Sequence, residues 1–137
     1  MKIIHDCWES LAAHDCQYGA YIFTGSEFSI YVSNWLFVPN ELVPIFSRFN
    51  EAGCVGHCVL RFLNVSLVSS EIMTYQRSGS EVSWSKPVIS ELSGVGAGGT
   101  LYDFSGSLKG FASSVDFRVD AGSFELHVLE RDEPARE

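Results

Sequence analysis

The chain has 137 residues, 46% hydrophobic and 19% charged, with ten Phe, five Tyr and three Trp; this composition excludes intrinsic disorder and suffices for one self-supporting core. The net charge is −8, with no Lys/Arg cluster, which excludes nucleic acid as a partner because phosphate neutralisation needs a basic stripe. Thirteen acidic and seven basic residues precede Glu130, so the folded body itself is acidic, a balance that suits either solubility or a face for a cationic partner.

Met1 to Ser10 turns polar too early for a signal peptide, and the richest apolar region, Tyr18 to Phe37, is broken by Thr24-Gly25-Ser26-Glu27 and Ser33-Asn34. A membrane helix needs roughly twenty uninterrupted apolar residues, so the expectation is a cytoplasmic protein that does not span a membrane. Trp8 to Ala13 reads as a short helix capped by Asp6. Tyr18–Phe23 and Phe28–Phe37 read as a hairpin around Thr24–Glu27, ended by Pro39. From Asn40 to Ala52, Leu42, Ile45, Phe46 and Phe49 recur at helical spacing with Gly53 as a stop, which predicts one short helix near 40–52 with Pro44 in its first turn. Cys54 to Tyr75 holds two strands around Asn64-Val65-Ser66. Val82 to Leu92 holds a further strand that Lys86-Pro87 confines to an edge or makes irregular, and Ser93 to Thr100 is a glycine-rich loop before a strand at Leu101–Leu108.

The clearest pattern runs from Val115 to Glu130, where apolar and polar residues alternate on both sides of Ala121-Gly122-Ser123. Side chains switch faces at each strand residue. The pattern therefore predicts an antiparallel hairpin with Val115, Phe117, Val119, Phe124, Leu126 and Val128 inside, and Asp116, Arg118, Asp120, Glu125 and His127 in water. Residues 1–130 form a single all-β domain in this reading, and 131–137 a mobile acidic tail. The fold class is mainly β: an antiparallel β-sandwich or open barrel of roughly seven to nine strands.

Chemical motifs are weak. Gly94-Val95-Gly96-Ala97-Gly98-Gly99 satisfies G-x-G-x-x-G, but Thr100 to Phe104 reads as strand, whereas a dinucleotide site needs a helix opening at the glycines. His14-Asp15 lacks the further ligands of a metal hydrolase, and no serine lies in G-x-S-x-G. Cys7, Cys16, Cys54 and Cys58 read as free buried thiols, because only Cys54 and Cys58 approach zinc-ligand spacing. A thiol–imidazole pair with His57 has no activating context. Trp84 is either edge packing or an exposed anchor.

Three stretches carry a resemblance: His14-Asp15-Cys16 with its following strand, Leu60-Arg61-Phe62-Leu63-Asn64-Val65, and Val119-Asp120-Ala121-Gly122-Ser123-Phe124-Glu125-Leu126. Together they resemble a broad set of small bacterial all-β proteins of unknown or immunity-type function, although Ala13 stands where that pattern has leucine. The resemblance implies an all-β fold and, for some of its members, neutralisation of a toxin.

The resulting expectation is a non-catalytic interaction protein with no cofactor and no metal, an immunity-like inhibitor presenting Asp116, Asp120 and Glu125 to a cationic toxin or other protein. A small-ligand-binding barrel or sandwich is the alternative, and an enzyme is least favoured. Self-association through edge strands stays open.

Overall fold

The computed structural model describes residues 1–137 as an all-β, sandwich-like fold of twelve strands. They are β1 (Lys2–His5), β2 (Cys16–Phe23), β3 (Glu27–Asn34), β4 (Arg48–Phe49), β5 (Val55–Gly56), β6 (Cys58–Leu63), β7 (Leu67–Ser78), β8 (Glu81–Trp84), β9 (Val88–Ser93), β10 (Thr100–Leu108), β11 (Ser113–Ala121) and β12 (Ser123–Val128). Ten form one sheet in the order β1-β12-β6-β3-β2-β10-β11-β7-β8, with β9 also on β7; β4 and β5 pair separately. The long sheet does not close into a barrel. Its two halves, β1-β12-β6-β3-β2 and β10-β11-β7 with β8 and β9, enclose the core.

The Thr24–Glu27 turn joins β2 to β3 as expected, with the Glu27 amide donating to Thr24 Oγ1 at 3.2 Å. Two helical expectations are corrected. Around 40–52 only a 3₁₀ turn at Val43–Ile45 forms, with Pro44 in its first positions, followed directly by β4. Phe46 turns extended at φ −89° and Arg48–Phe49 pairs with Val55–Gly56, so strand pairing overrides the helical spacing of the apolar residues. At Trp8–Ser10 the helix is again one 3₁₀ turn, and Asp6 adopts φ 55° instead of capping it.

The hairpin expected from Val115 to Glu130 is also corrected. β11 and β12 do not pair with each other: β11 lies between β10 and β7, and β12 between β1 and β6. Leu63–Ser66 and Ala121–Ser123 cross side by side, tied by Gly122 N–H to Leu63 O at 2.8 Å and Ser66 N–H to Asp120 O at 2.8 Å. The β6–β12 ladder has Ser123 opposite Leu63, and the β7–β11 ladder has Asp120 opposite Leu67. One antiparallel ribbon thus bends from one half of the sheet into the other, absorbing a residue near Asn64 at φ 56°. The alternation is still obeyed: Val115, Phe117, Val119, Phe124, Leu126 and Val128 are all buried, but they face one another from opposite walls.

A third difference is that the sheet is mixed. β2 and β10 run parallel over Cys16–Tyr18 and Gly106–Leu108. At this seam Gly106 has no room for a side chain, because a Cβ there would lie 2.0 Å from the Cys16 carbonyl oxygen.

Aromatic rings fill the space between the halves. Phe62 stacks on Phe104 at 5.5 Å, and Phe104 on Phe117 at 5.1 Å. Trp8 meets Phe62, Tyr102, Phe104 and Phe124 edge-on at 5.0–6.1 Å. Tyr18 places its hydroxyl 2.8 Å from the Ala13 carbonyl, which satisfies the polar end of a fully buried ring. No helix is long and apolar enough to cross a membrane.

Candidate functional site: an acidic sheet face

The strand register assembles the site. On the outer face of the half formed by β10, β11, β7 and β9, one row reads Asp103, Arg118, Ser69, Glu91 and the next Ser105, Asp116, Glu71, Ile89. A third row carries Leu101, Asp120, Leu67 and Ser93. Ser69, Ser70, Glu71, Ile89, Asp103, Asp116 and Arg118 contribute to a depression of about 540 Å³ on this face. Asp116 and Glu71 stand directly opposite each other, and like charges in that relation repel. Asp103, Asp116 and Glu91 are exposed and Glu71 is half-buried. Arg118 is the lone cation among the four carboxylates. Ile89, 70% exposed, and Leu101, 61% exposed, flank the acidic rows with apolar surface.

The three carboxylates expected to act together are separated by the corner. Asp116 lies in the acidic depression. Asp120 has both oxygens engaged: Ser66 Oγ donates to Oδ2 at 2.7 Å, and the Gly99 amide to Oδ1 at 2.9 Å. Those two bonds hold its carboxyl below the ordinary carboxylate value. Its role visible here is to pin the Gly94–Gly99 loop against the corner. Glu125 belongs to the other half of the sheet, in the row Ser29, Arg61, Glu125, His5. Its side chain is only 14% exposed, 3.9 Å from Arg61, 3.3 Å from His5 and 3.3 Å from His127. His127, expected in water, is buried. Glu71, Glu91 and Asp103 complete the acidic face, and the sequence alternation could not find them because they lie on three other strands.

The remaining chemical candidates do not converge. All four cysteines are free; Cys16 and Cys58 are buried, Cys7 and Cys54 half-buried. Burial pushes the Cys16 thiol up to about 12 and holds Cys58 well above its usual value. Thiols so shifted are poor nucleophiles. His57, at φ 57°, has both ring nitrogens engaged, Nδ1 2.7 Å from the Tyr31 hydroxyl and Nε2 2.8 Å from the Glu130 carbonyl. No three His, Cys, Asp or Glu side chains form a group that could hold a metal. His14 and Asp15 are exposed at a bend, where the His14 carbonyl accepts the Ser105 hydroxyl at 2.7 Å. The Gly94–Gly99 loop packs on the corner, with Gly96 N–H on Val65 O and Gly98 N–H on Asn64 O. Trp84 is 53% exposed on β8 and tilts against Tyr75 at 4.8 Å.

No protein-family model matches this chain, nor does any curated protein or solved structure.

Proposed function

We propose that the chain is a non-catalytic binding protein whose acidic face on β7, β9, β10 and β11 covers a cationic surface of a protein partner, as an immunity-like inhibitor covers a toxin. One observation carries this reading: Glu71 and Asp116 oppose each other across adjacent strands, with Asp103 and Glu91 on the same face, and none of the four enters an ion pair. Some carboxylates elsewhere are paired, Glu27 and Glu125 with Arg61 and Glu137 with Lys109. Unpaired like charges lower stability, and a cationic partner would turn that cost into attraction, chiefly by speeding and orienting encounter. Ile89 and Leu101 supply apolar contact beside the charges, so the fitting surface is basic with apolar residues interspersed.

The test is titration calorimetry with a short peptide alternating Lys and Leu, on the wild-type chain and on the triple variant Glu71→Gln, Asp103→Asn, Asp116→Asn. Each exposed charge contributes about 0.5 kcal/mol. The triple variant should bind roughly tenfold more weakly, and wild-type binding should fade as salt rises toward ~0.5 M. Salt-independent binding, or equal binding by the triple variant, would sink the reading.

A further inference from the structure

Residues 129–137 cross the outer face of the β1-β12-β6-β3-β2 half. Leu129 packs with Tyr31 and Val59 into a buried cluster of its own, and the Leu129 amide donates to the His57 carbonyl. Farther on, the Ala20 amide of β2 donates to the Arg136 carbonyl at 2.6 Å, a strand-like contact. The Glu137 side chain then reaches a polar cluster. Lys109 Nζ bonds its Oε1, Ser33 Oγ lies 3.3 Å away and Arg48 Nη1 4.0 Å away. Gly19 is the floor of this crossing: a Cβ there would lie 2.4 Å from the Arg136 carbonyl oxygen and 2.9 Å from the Tyr31 ring. Beside it lies a mostly apolar groove of about 380 Å³, walled by Tyr18, Tyr21, Leu108, Lys109, Phe111 and Glu137 itself. Tyr21 remains 51% exposed and Phe111 69% exposed with the segment in place.

We propose that the Gly19–Ala20 crossing and the groove beside it form a docking site for an extended peptide carrying a carboxylate, and that Arg136 and Glu137 hold the crossing in cis as a releasable strap. The recognition elements are a β2 amide for the peptide backbone, a glycine that admits close approach, two cations for one carboxylate, and apolar surface that the strap leaves open. This is strand addition directed by charge. In a chain of net charge −8, Arg48 and Lys109 make a local exception that fits an acidic peptide and no basic one. The strap is held by partly exposed groups, Lys109 at 40%, Arg48 at 39% and Glu137 at 36% side-chain exposure, so it opens at low cost.

Two full-length variants test the proposal: Glu137→Ala, which unhooks the strap, and Glu137→Ala combined with Lys109→Ala. The probe is a fluorescent peptide of sequence Asp-Glu-Pro-Ala-Arg-Glu, with a second peptide in which the final Glu is Gln, read by anisotropy. The Glu137→Ala chain should bind the first peptide at least ~10-fold more tightly than the wild type, whose tethered copy competes at millimolar effective concentration. The Gln peptide and the double variant should each lose that gain. If Glu137→Ala melts at the wild-type temperature yet binds neither peptide, or both equally, the proposal fails. It also fails if the wild-type chain forms dimers that Glu137→Ala abolishes, because the occupant would then be the strap of a second copy.

Discussion

Burial decides what the titratable side chains of this protein can do. Cys16 and Cys58 resemble in sequence the half-buried Cys7 and Cys54, yet only the former pair lies in the core, and desolvation disfavours their thiolates. Native-state alkylation at neutral pH should therefore modify Cys54 and Cys7 before Cys16 and Cys58, as peptide mass mapping would read; equal labelling would contradict the burial. Asp120 works in the opposite direction, because hydrogen bonds from Ser66 and Gly99 favour its charged form. A carboxyl lowered in the folded state contributes stability that is present above its ordinary value of 3.8 and is lost as pH falls through the lowered native value. The Gly99 amide resonance should accordingly titrate below pH 3.8, and Asp120→Ala should abolish that titration and loosen the Gly94–Gly99 loop at every pH. In the core, Phe62 is fully buried and touches Trp8, Phe104 and Phe124. Phe62→Ala should cost about 3–5 kcal/mol in urea unfolding.

At the scale of elements, many strands and the β2–β3 hairpin were legible, whereas the partners of β11 and β12 were not. Period-two alternation marks which residues face the core, and it holds on both sides of Gly122. It is silent on which neighbour each strand takes, because β11 beside β12 and β11 across from β12 both bury Phe117 and Phe124. The crossing of Leu63–Ser66 alongside Ala121–Ser123 settles that question through backbone hydrogen bonds between segments far apart in sequence. The helix expected near 40–52 gives way to β4, which pairs with β5, because strand pairing overrides a helical spacing whose nucleus is costly to form. The parallel seam between β2 and β10 rests on Gly106. Gly106→Ala should force these strands apart and cost about 1–3 kcal/mol, measured as a lowered urea midpoint at unchanged slope. If the midpoint did not move, the close approach to Cys16 would be wrong.

Across the whole molecule, charge is distributed unevenly. One outer face concentrates Glu71, Glu91, Asp103 and Asp116, while Arg61, Arg48 and Lys109 neutralise carboxylates on the other half. Removing the cross-strand repulsion with the Glu71→Gln, Asp103→Asn, Asp116→Asn triple variant should stabilise the fold by about 0.5–1 kcal/mol, seen as a higher melting temperature. The same variant should bind a cationic peptide less well, so stability and binding would move in opposite directions. A triple variant that melts lower than wild type would mean these carboxylates are paired within the fold. Polar composition suggests a mobile tail over 131–137, and Arg136 and Glu137 contact β2, Lys109, Ser33 and Arg48, while Leu129 packs on Tyr31 and Val59. By itself the sequence determined the β class, the inward residues of β11 and β12 and the acidic balance, because these follow from local periodicity and composition. Only the tertiary structure decided that the Val115–Glu130 ribbon bends instead of pairing, that Asp116 faces Glu71 while Glu125 lies elsewhere, and that the tail has a seat. Each of these depends on contacts between segments distant in the chain, and a local pattern carries no record of them.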